Sequence, residues 1–208
     1  MRISIISITA GADDDIAVSF EICEGENRAV SKFWISVSAY TQFSLSVGES
    51  SQGVFDAVER ESKIYSAYKK ATYLLGFGSQ SKKTLQTKLV MRGCEAEIAR
   101  EAIERLVERQ LLSEADMALR EAEKCVLKLW GESRIRAHLA QKGYGEEEIK
   151  KAFFVLEDEG VDFSLNCMKL IEKKYLPLPK DKKEMQKIIA SLMRYGYSIS
   201  QIKAALAD

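Results

Sequence analysis

Histidine is almost missing from this chain, with His138 the only one, so a catalytic dyad or triad has a single candidate base and no His–Cys metal cluster can be assembled from the sequence. Proline is nearly as scarce, with only Pro177 and Pro179, while 46% apolar and 30% charged residues exclude long disordered or fibrous stretches. The four cysteines, Cys23, Cys94, Cys125 and Cys167, lie far apart without a CxxC pair, and read as reduced thiols of a cytoplasmic protein. Charge of either sign is not in excess: 31 basic residues cancel 31 acidic ones, so the whole-molecule field gives no strong pull toward nucleic acid or an anionic membrane. No apolar run approaches the roughly 20 residues a spanning helix requires. The opening Ile3-Ser4-Ile5-Ile6-Ser7-Ile8 is too short, and too soon followed by Asp13-Asp14-Asp15, to be an export signal.

What is present falls into two kinds of text. Up to about residue 47, apolar residues recur mainly with period two: Ile3, Ile5, Ile8; Ile16, Val18, Phe20, Ile22; Phe33, Ile35, Val37; and Phe43, Leu45, Val47. Three or four short strands in a hairpin meander are expected, with turns near Gly11 and at Glu24-Gly25-Glu26-Asn27. After Gly53 the spacing becomes helical. Val54, Val58, Tyr65, Tyr68 and Leu75 define a helix that should stop at Gly76-Phe77-Gly78.

From there the text repeats. Leu89, Leu139 and Leu192 each stand four residues before a glycine, Gly93, Gly143 and Gly196. Leu85, Ile135 and Ile188 precede those leucines by one turn, and Ala102-Ile103, Ala152-Phe153 and Ala205-Leu206 follow the glycines in register. Each copy reads as an amphipathic helix with a glycine cap, then a second helix, with an earlier helix before the pair at Tyr65–Leu75, Leu112–Trp130 and Ser164–Tyr175. The expected fold is mainly α: a tandem array of three three-helix units with a small N-terminal β-hairpin or meander region. Boundaries follow at 1–50 for the strand-rich start, 51–118 for the linking helix and first repeat, 119–161 for the second and 162–208 for the third. Stacking of such units predicts an elongated, concave molecule, with a single compact bundle as the alternative.

The three-unit text resembles RecX, the bacterial regulator of the RecA recombinase. The middle copy carries the resemblance best, through Gly131, Arg134-Ile135-Arg136, Leu139 and Lys142-Gly143-Tyr144. The first copy is similar through Leu74-Leu75, Ser81, Leu85, Leu89 and Arg92-Gly93, continuing at Leu111-Leu112 to Ala118, and the last through Arg194-Tyr195-Gly196-Tyr197-Ser198 and Ile202. Departures stand at Gly78 for the usual Arg, Thr84 and His138 for Glu, Ser113-Glu114 for Asp-Asp, and Met117 for an aromatic. The resemblance covers about residues 65–207. It implies a regulator that lies in the groove of the RecA nucleoprotein filament and restrains ATP hydrolysis and strand exchange, without chemistry or a cofactor of its own.

Catalytic signals are correspondingly thin. Gly48-Glu49-Ser50-Ser51-Gln52 misses a nucleophile elbow at its last position, and Gly76-Phe77-Gly78-Ser79 lacks the third glycine of a dinucleotide loop, so both read as linkers. His138 reads as a surface or interface residue, Trp130 as a packing residue between copies, and Tyr65, Tyr68, Tyr73, Phe153, Phe154 and Tyr197 as core rather than base-stacking platforms. Placement of charge says more. Between Glu61 and Glu95 every charged residue is basic, and basic residues recur on the glycine-capped helix of all three copies: Lys82, Lys83, Lys88 and Arg92; Arg134, Arg136 and Lys142; Lys182, Lys183 and Arg194. A solvated face explains such residues as well as a stripe for a long partner does. These ten are the candidate contacts for a RecA filament, or, on the alternative reading, for single- or double-stranded DNA bound directly by helix-turn-helix-like units. A monomer with no metal and no membrane partner is expected.

Overall fold

The computed structural model describes residues 1–12 and 15–207, so Asp13 and Asp14 of the expected turn lie outside the described residues. Three long strands, β1 (Arg2–Ala10), β2 (Asp15–Glu24) and β3 (Asn27–Ser36), form antiparallel pairs, and a short β4 (Gly48–Ser50) adds to β1, giving the order β3-β2-β1-β4. The two-residue turn between β2 and β3 has Gly25 at φ 63°, open to glycine without steric cost. Strand β1 explains an irregularity in its own sequence. Pairing shifts register between Ile5 and Ser7, a bulge at Ile6, which returns Ile8 to the face that carries Ile3 and Ile5 although the spacing changes from two to three.

Val37, which closes the expected third strand, and Phe43, Leu45 and Val47 of the expected fourth are not strand residues. Val37–Phe43 is a helix, α1, because the Ser36 hydroxyl accepts the Ala39 amide and so caps it, and because Ala39, Tyr40 and Phe43 fall on one helical face over the sheet core. Strand β4 comes after it and uses Gly48-Glu49-Ser50, a stretch read from sequence as linker. Ser51 then caps α2 (Gln52–Leu75), whose first turns bring Phe55 into edge-to-face contact with Phe20 and Phe33, at centroid distances of 5.2 and 5.4 Å.

Eight further helices follow: α3 (Lys82–Met91), α4 (Ala96–Glu108), α5 (Glu114–Leu127), α6 (Glu132–Gln141), α7 (Glu146–Asp158), α8 (Phe163–Tyr175), α9 (Lys182–Arg194) and α10 (Ile199–Ala207). From α2 onward they form three triplets in which the first helix packs on the third: α2 on α4, α5 on α7, α8 on α10. The second helix of each triplet ends the same way. Gly93, Gly143 and Gly196 have φ of 84°, 89° and 97°, and the next residue's amide donates back to Leu89, Leu139 and Leu192 in turn. Those leucines are fully buried, as are Leu85 and Ile135 one turn earlier. Helix α2 leaves differently: Gly76 remains right-handed at φ −62°, and the left-handed glycine is Gly78.

Two compact units divide the chain, and neither is continuous. One contains Met1–Gly76 and Gln86–Leu111; the other contains Phe77–Leu85 and Leu112–Asp208. In the first, Glu61 of α2, buried among apolar neighbours, accepts both guanidinium arms of Arg105 from α4 at 2.7 Å. In the second, the α5–α7 core of Ala118, Ala122, Cys125, Ile135, Leu139, Ile149, Ala152, Phe153 and Leu156 adjoins a separate core around Cys167, Leu170, Ile171, Leu192, Tyr197 and Ile202.

Candidate partner-binding surface

The second compact unit owes its order to a backbone arrangement that links equivalent helices. Helix α6 begins at Gly131 without a side-chain cap; instead the Gly131 amide donates to the Tyr195 carbonyl at 2.7 Å and the Ser133 amide to the Gly196 carbonyl at 3.2 Å. At the start of α3 the same role falls to hydroxyls. Ser81 accepts the Thr84 amide and donates to the Lys142 carbonyl at 2.5 Å, and Thr84 donates to that carbonyl at 2.8 Å. The C-terminal turn of α9 therefore abuts the start of α6, and that of α6 abuts the first residues of α3. Glycine is needed at these joints. A Cβ on Gly196 would lie 2.5 Å from the Arg134 amide nitrogen, one on Gly131 would lie 2.4 Å from Gly196 backbone, and one on Gly143 would meet Lys83 at 3.0 Å. Around Gly93, by contrast, nothing lies within 4 Å. The Tyr197 hydroxyl fastens the upper joint through the Leu129 carbonyl at 2.8 Å, and Thr84, a departure from the family text, has its own use here.

The ten cations predicted from sequence sit where expected, on or just after α3, α6 and α9, but in two different states. Lys82 pairs with Glu114 at 3.3 Å, Arg136 with Glu132 at 2.7 Å and Lys142 with Glu121 at 2.7 Å. Arg134 stacks on Trp130 at 3.9 Å and faces Tyr195 at 5.2 Å, while Arg136 also covers Phe153 at 4.0 Å. Lys88, Arg92, Lys182, Lys183 and Arg194 are exposed and have no ion-pair partner among the described residues; Lys83 is exposed beside Gly143. The all-basic run of the sequence is also partly answered in space. Lys63 reaches Glu59 and Glu95, and Lys69 reaches Asp15.

Three features escaped sequence reading. Asp15 is buried between the Tyr65 hydroxyl and Lys69; burial alone would raise its carboxyl, but these two donors and the lysine charge hold it below the ordinary carboxylate range. Glu121 is buried on α5, where Lys142, His138 and Lys124 converge on it at 2.7, 3.0 and 3.8 Å; again burial opposes ionisation and the donors outweigh it. The signal was there: Glu61 and Glu121 both lie on the apolar phase of their helices, beside Val58 and Ile64 and beside Ala118, Ala122 and Cys125. Third, Glu121, Cys125 and His138 bring ligand atoms within 4.8 Å of one another, so the His–Cys proximity excluded from sequence does occur. His138 also meets Trp130 edge-on at 5.3 Å, with Trp130 half-buried against the α5–α7 core. Among the aromatics expected as core, Tyr65, Phe153 and Tyr197 are buried, whereas Tyr73 and Phe154 are 64% and 72% exposed. The four cysteines are free thiols, and no described helix is long and apolar enough to cross a membrane.

Comparison with known proteins gives a consistent result. Residues 67–106 match the model of the first RecX three-helix domain and residues 166–206 that of the third. The chain is 33% identical over 119 residues to regulatory protein RecX of Ectopseudomonas mendocina (strain ymp), covering 57% of this chain and 77% of the relative. It is 29% identical over 138 residues to regulatory protein RecX of Halorhodospira halophila (strain DSM 244 / SL1), covering 66% and 84%. Among solved structures, that of a regulatory protein RecX aligns over 99% of this chain and 100% of its own with a TM-score of 0.78 at 21% identity. RecX from Lactobacillus salivarius aligns over 70% and 95% with a TM-score of 0.60 at 20% identity, and both likenesses are of fold.

Proposed function

The chain belongs to the RecX family, and on that premise we propose that it is a regulatory protein that binds the RecA nucleoprotein filament and inhibits its ATPase and strand-exchange activity. The observation that supports this most directly is the recurrence of cations on the second helix of each triplet, exposed on α3 and α9 and half-buried on α6. A long acidic or phosphate-bearing partner would meet them in sequence, each contributing a modest share. On this reading the regulator acts by occupancy and not by a bond-making step.

The ten basic residues contribute unequally to this surface. Lys88, Arg92, Lys182, Lys183 and Arg194 are available to a partner, whereas Lys82, Arg134, Arg136 and Lys142 already hold intramolecular contacts and serve the fold as much as the interface. The test is the ATPase rate of RecA filaments on single-stranded DNA with and without this protein. Addition should slow hydrolysis, and the variant Lys88→Glu, Arg92→Glu, Lys182→Glu, Lys183→Glu should lose at least tenfold in apparent affinity while melting at the parent temperature. An unaltered ATPase rate with the parent protein would overturn the proposal. Tight, steeply salt-dependent binding to DNA without RecA would favour the stand-alone DNA-binding alternative.

A further inference from the structure

We infer that Glu121, Cys125 and His138 form a binding site for a divalent transition-metal ion of the zinc class. Glu121 and Cys125 stand one turn apart on α5, so both project from one face, and α6 brings His138 across to them. Their ligand atoms all lie within 4.8 Å of one another, with the Glu121 oxygen already 3.0 Å from the His138 Nε2. Small side-chain rotations would bring all three to coordination distance, roughly 2.0–2.3 Å from a common ion. A sulfur, nitrogen and oxygen set suits a borderline ion such as Zn²⁺ or Co²⁺ and is a poor match for Mg²⁺ or Ca²⁺, which take oxygen ligands.

A structural ion-pair hub is the competing account, and it covers only part of the cluster. It uses the carboxylate, the imidazole and the Lys142 ammonium, treats Cys125 only as part of the apolar core, and leaves one buried hydroxyl unpartnered. Cys125 is completely buried beside them. The Tyr144 hydroxyl, buried as well, has no hydrogen-bond partner among the described residues. Burial first, and then the Glu121 charge, push its pKa up to about 12. An unpartnered hydroxyl costs free energy that a bound ion, or a water on that ion, would recover. Three protein ligands leave one tetrahedral position open to a water.

Charge and proton balance are simple. The ion takes the Glu121 carboxylate and the Cys125 thiolate, two negative charges against two positive. The thiol gives up its proton to solvent as the metal–sulfur bond forms. His138 binds through the Nε2 lone pair in its Nδ1–H tautomer. Lys142, at 38% side-chain exposure, leaves Glu121 for water.

The experiment is titration of the intact, metal-free chain with Co²⁺, followed by competition with Zn²⁺. The expected result is one equivalent bound, with a near-ultraviolet thiolate-to-cobalt charge-transfer band and visible bands of tetrahedral intensity. Cys125→Ser should abolish the charge-transfer band, and His138→Gln should weaken binding at least tenfold. A Cys23→Ser, Cys94→Ser variant, lacking the two half-buried thiols away from the site, should bind as the parent does. Because Cys125 is fully buried and its substitution can disturb folding, the partly exposed His138 gives the independent arm, with far-ultraviolet circular dichroism confirming the fold. Absence of the charge-transfer band, its survival in Cys125→Ser, or parental affinity in His138→Gln would each overturn the assignment.

Discussion

At the scale of single residues, backbone geometry separates glycines that look alike in the sequence. Gly93, Gly143 and Gly196 all occupy left-handed positions, where an L side chain costs about 1–2 kcal/mol. Only the latter two also lie in crowded joints. Gly93→Ala should therefore lose about 1 kcal/mol, and Gly196→Ala clearly more, since its Cβ would overlap the Arg134 backbone at 2.5 Å. Thermal melts of the two variants check this; equal losses would contradict the tight joint. Asp15 supplies a pH-dependent counterpart. Its folded carboxyl is depressed below the ordinary range of about 3.9, so its contribution is fully present above that value and is lost as pH falls through the folded pKa. Urea midpoints between about pH 6 and 3 should fall more steeply for the parent than for Asp15→Asn, which lacks that contribution throughout. Parallel curves would remove Asp15 from the acid response.

At the scale of elements, the helices were legible because their signals are local. A leucine four residues before a glycine, with basic residues near the end, encodes a capped amphipathic helix wherever it occurs, and it did so three times. Less legible were features that depend on distant partners. The bulge at Ile6 shows in sequence only as a broken alternation, and α1 was hidden because Phe43, Leu45 and Val47 satisfy period two while Ser36, Ala39, Tyr40 and Phe43 satisfy a helix. The basic residues were legible as positions on helices but their pairing was not, since Glu114, Glu121 and Asp15 arrive from elsewhere in the chain. Nor could periodicity reveal that Ser81 caps one helix while it and Thr84 hold the end of another. Ser81→Ala and Thr84→Val should each cost about 1 kcal/mol, the usual net worth of such a hydrogen bond. Because both donate to one carbonyl, the double variant should depart from the sum of the singles in urea denaturation. Strict additivity would show that the two bonds are independent.

At the scale of the whole molecule, the family assignment rests on agreement between kinds of observation: a threefold text, three helix triplets with first-on-third packing, and RecX three-helix domains matched at residues 67–106 and 166–206. The candidate surface is more distributed, so its predicted behaviour is graded loss across several cations and not dependence on one. The discontinuity of the two compact units has a consequence for how this protein comes into being. Residues 77–85 leave the first unit, and residues 86–111 return to it, before the helix turn that receives Ser81 and Thr84 has been synthesised. On the ribosome the first unit can close around its sheet while that nine-residue segment waits for Lys142 to emerge. A single cut, whether by a protease or by a shortened gene, can then release one unit whole only with a piece of the other attached: residues 77–85 if it falls after Leu111, residues 86–111 if it falls after Gly76.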